Sequence, residues 1–183
     1  MAGGGGEDRS LLYVDSDNRG GAREAVRHLL SLGRSRIAMI TGPLDQTASL
    51  DRLDGYQDLL MEADPQLVVE GAFTEAGAAR AMAQLLEQAS EPDAVFVASD
   101  LMASGALRVL WERGHRVPED VAVVGFDDVA SVAEQTDPPL TTVRQEIEEM
   151  GRLIVRLLVR DLDRRAKVDS AGRPLSSVVP RPG

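Results

Sequence analysis

Apolar residues along this chain follow two alternating rhythms: short continuous runs, and stretches where they recur three and four apart. The runs at 11–14, 37–40, 67–69, 94–98, 121–124 and 141–143 have the length of strands. The run 121–124 is apolar throughout, which suits a parallel strand buried on both faces. Between the runs lie helical spacings at 19–32, 50–63, 75–88, 101–113 and 147–158. Gly33 and Gly114 stop the first and fourth of these helices. In the first helix Ala22, Ala25, Val26, Leu29 and Leu30 share one face; in the last, Ile147, Met150, Gly151, Ile154, Leu157 and Leu158 do. Strand and helix alternate throughout. That order predicts an α/β fold, a doubly wound parallel sheet wrapped by helices. A polar, Pro- and Gly-rich tail follows, with 175–179 as a candidate edge strand.

Composition narrows the functions this scaffold can carry. A 43% apolar content across 183 residues is ample for a packed core. With no cysteine, disulfides, thiolate metal sites and a Cys nucleophile are excluded. The net charge of −10 opposes a direct grip on phosphate backbones, and 3% aromatic residues leave little for base stacking. No run approaches membrane-spanning length and no export leader is visible, so a cytoplasmic protein without a membrane partner is expected. Residues 1–10, opening MAGGGGED, read as a disordered leader.

Motifs for nucleotide, metalloprotease or serine-hydrolase chemistry are missing, and His28 and His115 each lack a second ligand at metal spacing. No catalysis, cofactor or metal is therefore expected. What remains is a set of residues just past the carboxyl ends of successive strands, where open α/β sheets place ligands. Arg52 lies one turn into the helix after Thr41-Gly42-Pro43. Phe73 follows the third run, Ser99-Asp100 the fourth, and Phe126-Asp127-Asp128 the fifth. A guanidinium, a carboxylate, a hydroxyl and a ring suit a polyol or nucleoside-like ligand. Each also has a plainer reading. Asp100 is expected as the structural cap of the helix 101–113, and Arg52 has Asp51, Asp54 and Asp58 as surface partners. Phe73 suits the core, and the two aspartates suit a turn.

Several runs together resemble the LacI/GalR family of bacterial transcriptional regulators. They are Asp17-Asn18-Arg19-Gly20-Gly21-Ala22, Thr41-Gly42-Pro43, Arg52-Leu53-Asp54-Gly55-Tyr56 and Ala98-Ser99-Asp100-Leu101-Met102-Ala103. Val117-Pro118-Glu119-Asp120-Val121, Gly125-Phe126-Asp127-Asp128 and Pro138-Pro139-Leu140-Thr141-Thr142 complete the set. The resemblance implies a periplasmic-binding-protein-like (type I) fold of two subdomains with a sugar or small-metabolite effector between them. It implies effector contacts at Arg52, Phe73, Ser99 and Asp127, with Asp17 lining the cleft near the crossover. Ser99 stands where the family often carries Asn, which shortens the reach to a ligand.

The family's helix-turn-helix headpiece and first strands have no counterpart here. The resemblance therefore divides the chain into a complete carboxyl-terminal effector-binding subdomain at 34–140, remnants of the amino-terminal subdomain at 11–33 and 141–164, and a tail at 165–183. It implies the sensing and dimerisation region of a repressor, a homodimer that reaches operator DNA only through the missing headpiece. A transport-type sugar-binding protein shares the fold, and a small α/β enzyme using Asp127 or Asp128 as base is a further alternative. In this division the apolar faces of helices 19–32 and 147–158 lack their sheet. They are expected to pack on each other or across a dimer.

Overall fold

Five strands pair in parallel into one sheet of order β2-β1-β3-β4-β5. They are β1 (Ile37–Thr41), β2 (Val68–Glu70), β3 (Ala94–Val97), β4 (Ala122–Asp127) and β5 (Thr141–Arg144). The helices are α1 (Asn18–Ser31), α2 (Thr47–Gln57), α3 (Glu75–Leu86), α4 (Asp100–Glu112), the single turn α5 (Ala130–Ala133) and α6 (Ile147–Ala166). This computed structural model describes residues 13–60, 64–87 and 91–166. The leader, the candidate strand 175–179 and the predicted ends of the second and third helices lie outside the described residues. No strand forms at the described part of the run 11–14.

The apolar runs of β1, β3 and β4 become strands because both of their faces are covered. Side chains alternate along β1: Ile37 and Met39 join Tyr56 and the α1 residues, whereas Ala38 and Ile40 join the α3 and α4 residues. β3 and β4 repeat this division, with Phe96, Val124 and Phe126 on the α1–α2 side and Val95, Val97 and Val123 on the other. The registers Ile40↔Val69, Ile40↔Val97 and Val95↔Val123 hold the central strands level. Their carboxyl ends therefore finish along one rim.

α1 starts at Asp17, whose Oδ1 accepts the Gly20 N–H at 2.8 Å, and stops before Gly33, where φ is +79°. Val26 and Leu29 are fully buried, each contributing roughly 1.5–3 kcal/mol. α2 crosses α1 at Gly55. A Cβ there would stand 2.3 Å from the Arg19 carbonyl oxygen and 2.8 Å from the Ala22 Cβ, so only glycine permits the approach. Beside it Tyr56 is buried and donates to the Ile37 carbonyl at 2.8 Å, and burial pushes its hydroxyl up to about 12. At the surface Asp58 accepts from Arg19 at 2.7 Å and Arg23 at 2.6 Å; these arginines hold its carboxyl down at about 2.

Asp17–Gln145 form one compact unit; of the other unit residues 13–16 and 146–166 are described. α1 and β5 belong to the first unit, and the apolar face of α1 has a sheet to cover. Burial follows whichever surface a helix reaches. In the other unit Tyr13 and Val14 line a small cavity with Ile154, Leu157 and Leu158 of α6, and Ser16 Oγ donates to Met150 Sδ at 3.2 Å. α6 extends well beyond the predicted 158. Among the described residues no helix is long and apolar enough to cross a membrane.

Candidate functional site

The sheet order reverses at β1: the chain leaves β1 for β2 on one side, then returns to place β3 on the other. Such a switch opens a crevice beyond the carboxyl ends of the two diverging strands, here Thr41 and Val97. The backbone closes around it. Gly71 N–H donates to the Thr41 carbonyl at 2.8 Å, and Ala98 N–H donates to the Ile40 carbonyl at 2.9 Å.

Arg52 enters this crevice from the buried face of α2 and is only 5% exposed. A buried guanidinium is costly unless its donors are used. Nε donates to Asn18 Oδ1 at 2.9 Å, and Nη1 donates to the Ala98 carbonyl. Its carbon stands 3.8 Å from the centre of the Phe126 ring, a cation–π contact, and Nη2 lies 3.8 Å from Asp127 Oδ1. Arg52 turns inward rather than toward the surface, where Asp58 serves Arg19 and Arg23.

Asp127 ends β4 with φ at +119°, and Asp128 follows at +57°. Both lie where side chains other than glycine are disfavoured, by about 1–3 kcal/mol each. Gln145 Nε2 donates to Asp127 Oδ1 at 2.5 Å, while Asp128 is drawn away into a pair with Arg144. The aspartates therefore separate: one faces Arg52, the other the surface. Burial raises the Asp127 carboxyl above its ordinary range, opposed by the Arg52 charge and reinforced by Asp100.

Ser99 occupies the cap position expected of Asp100. Ser99 has the extended backbone of a cap, φ −158° and ψ +158°, and its Oγ accepts the Met102 N–H at 3.3 Å. Asp100 is already the first helical residue and is fully buried. Its carboxylate accepts from Thr142 Oγ1 at 2.5 Å and from Val129 N–H at 2.8 Å, fastening β5 and the loop after β4 to α4. Burial raises its pKa, and these two hydrogen bonds oppose the rise. The expected cap position missed by one residue because serine and aspartate both cap helices well.

Phe73 sits half-buried on a turn with φ at +51° and packs its ring over Gly42, where a Cβ would meet Cζ at 2.2 Å. Asp17 is exposed and spends its carboxylate on capping α1, so its side chain does not join the group. Its neighbour Asn18, which sequence reasoning passed over, is buried and holds Arg52. Phe126 and Gln145 also belong to the cluster. Phe126 stood in the sequence beside Asp127 past the fifth run, and it shares a face of β4 with Val124. Gln145 lies just past β5 and gave no signal in the sequence.

The cluster around Arg52 offers amide, carboxylate and guanidinium functions beside an aromatic ring, a set suited to hydroxyl-bearing molecules. Among the described residues no three His, Cys, Asp or Glu side chains gather to hold a metal.

Comparisons with known proteins concern the fold and the family. The profile of the periplasmic binding protein-like domain matches residues 26–182. The HTH-type transcriptional regulator CelR of Thermobifida fusca is 51% identical over 83% of this chain and 46% of its own length. The repressor CytR of Escherichia coli K12 is 40% identical over 81% and 45%. The solved structure of a CelR–cellobiose complex superposes with a TM-score of 0.79 at 50% identity, covering 87% of this chain and 49% of that one. A LacI-family regulatory protein from Chloroflexus aggregans superposes at 0.80 with 33% identity, covering 86% and 58%. The chain spans about half the length of the curated relatives it matches. It belongs to the periplasmic-binding-protein-like domain family, in the form carried by LacI-family transcriptional regulators.

Proposed function

We propose that this chain is the effector-sensing part of a LacI-type repressor, binding a sugar of the cellobiose class and catalysing no reaction. The observation that carries the reading is the Arg52–Asp127 pair at the switch point, held 3.8 Å apart and in place by Asn18, Phe126 and Gln145. A vicinal diol can bridge the pair, one hydroxyl donating to the carboxylate and another accepting from the guanidinium. Phe73, half-buried on its turn, supplies an apolar face for a sugar ring, and Ser99 supplies a short hydroxyl at the edge. The choice of sugar draws on CelR, solved in complex with the disaccharide cellobiose and 50% identical to this chain where the two superpose.

In the complete regulator, effector binding shifts the balance between two closure states, by no more than the ligand's differential affinity for them. Operator contact belongs to a headpiece outside these residues, in a cytoplasmic homodimer. Residues 13–16 and 146–166 form part of the second subdomain, and the exposed apolar face of α6 supports that reading. One subdomain supplies only part of the cleft, so this chain is expected to bind weakly, with Kd about 1 mM or higher, or roughly −4 kcal/mol.

Calorimetry with a panel of mono- and disaccharides tests the reading. A saturable sugar signal that disappears in Asp127→Asn supports it. Full retention of that signal in both Asp127→Asn and Arg52→Ala sinks it. Micromolar affinity would overturn the expectation of a weak, incomplete cleft.

A further inference from the structure

Thr41 Oγ1 and Ser49 Oγ are buried hydroxyls without a hydrogen-bond partner, and both residues are 0% exposed. Nothing in the cluster around Arg52 uses them. Ser49 lies one turn before Arg52 on the buried face of α2. Thr41 is the last residue of β1, and the two-residue alternation sets it on the α2 side with Ile37 and Met39. In an ordinary core alanine and valine would be preferred at such positions, because an unpaired buried hydroxyl is penalised.

The Phe73 ring stands near one of these hydroxyls. A single point over Gly42 lies 2.2 Å from Phe73 Cζ and 2.6 Å from Ser49 Oγ, so the ring tip and the serine both crowd the Cβ side of the glycine. Phe73 and Ala72 both hold positive φ, +51° and +56°, in a turn where neither residue is at ease. The turn is pinned at its ends. Thr74 N–H donates to the Gly71 carbonyl at 3.3 Å, and Thr74 Oγ1 accepts from Gly77 N–H at 3.0 Å. Rotation of the ring about its side-chain bonds would uncover Gly42 and Ser49 without moving either anchor.

We propose that Ser49 and Thr41 form a hydroxyl-recognition floor for the effector, and that Phe73 is the plug displaced when ligand hydroxyls take them. This rests on the sugar-sensing reading and assigns the site two contacts that reading did not include. The ligand class is a polyol with a vicinal diol for the Arg52–Asp127 pair and further hydroxyls that reach the end of β1. Deoxy sugars lacking one of those hydroxyls would leave the floor unpaired and bind less well.

The test is the double variant Thr41→Val/Ser49→Ala in the full chain, read for stability and for cellobiose binding. The expected signature is divergent: Tm rises by roughly 2–4 °C, while cellobiose Kd, followed by titration, rises about tenfold. Fluorine NMR with fluorophenylalanine at Phe73 is expected to show a ligand-dependent shift. A fall in Tm in both the double variant and Ser49→Ala alone means that the hydroxyls already have partners, and overturns the inference. If cellobiose binding weakens in Arg52→Lys but is unchanged in the double variant, with the Phe73 signal still, the sensing reading stands and the floor is refuted. If cellobiose leaves every signal unmoved at tens of millimolar, the floor falls together with the choice of ligand.

Discussion

α1 and α6 carry the same kind of sequence, yet they meet opposite fates. Each spaces apolar residues for one face and charges for the other. In α1 that face is lost from solvent: Ala22, Val26 and Leu29 are fully buried. In α6, Ile154 is 48% and Leu158 52% exposed, with Val155 and Leu162 exposed beside them. The ion pairs of α6, Arg152 with Glu148 and Glu149 and Arg156 with Glu149, lie on its own surface and help only locally. An amphipathic pattern therefore states what a helix needs and not where the chain provides it. α1 finds its cover in β3, β4 and the glycine-lined flank of α2; the complement for α6 is not among the described residues.

Leu29→Ala and Leu158→Ala break this comparison most sharply. Denaturant unfolding should show a loss of about 2–5 kcal/mol for the first, since a cavity opens in a packed core. The second should change stability by no more than about 0.5 kcal/mol. Equal losses would mean that α6 is as well packed as α1. Gly55→Ala comes next, with an expected cost of about 1–3 kcal/mol, because the added methyl meets the Arg19 carbonyl and forces α1 off α2. That variant should also disturb Asn18, and hence the environment of the Arg52 guanidinium, in NMR spectra. The same glycine change at Gly151, where an added Cβ meets nothing within 4 Å, should be silent or slightly stabilising.

A smaller contrast lies in pH dependence. Asp100 and Asp127 have raised folded pKa values, so the native state holds their protons more tightly than the unfolded chain does. Their contribution to stability therefore grows as pH falls from neutral toward and through those raised values, and is lost as pH rises. Glu149 is lowered by Arg156 and Arg152, and Asp58 is lowered to about 2, so their contributions run the other way. These are present above the ordinary carboxylate range and lost as pH falls through the folded values. Thermal melts of Asp127→Asn should flatten the first dependence and leave the acid-side loss intact. The smallest expected effect on stability is that of Ile154→Glu with Leu158→Glu. Light scattering and hydrophobic-dye binding should nonetheless respond strongly, with self-association and dye uptake in the parent and neither in the variant.

Fold and site were legible to different depths. The central strands β1, β3 and β4 were marked by their apolar runs, because a parallel strand covered on both faces leaves little room for polar residues, whereas the edge strand β5 is half-exposed and carries two threonines. Strand ends were less visible: β4 runs on to Asp127, since Gly125 and Phe126 carry no run signature. At the site, Arg52 and Asp127 were recognisable as residues beyond strand ends. What holds them was not. Asn18 and Gln145 come from elements distant in sequence, and a helix-opening asparagine looks the same whether it faces solvent or a guanidinium. Asp17 and Asn18 are adjacent, yet one caps and one is buried, a distinction set by the phase of α1 against α2. Ser99 and Asp100 show the same one-residue ambiguity at the start of α4.

The side-chain signal of Arg52 Nε–H, followed in a cellobiose titration of the chain, tests the central claim most directly. Binding between Arg52 and Asp127 predicts a saturable shift of that signal together with the Asp127 backbone amide, while the amides of α6 stay still. A titration in which the α6 amides move and these two do not would place the ligand elsewhere and contradict the switch-point site.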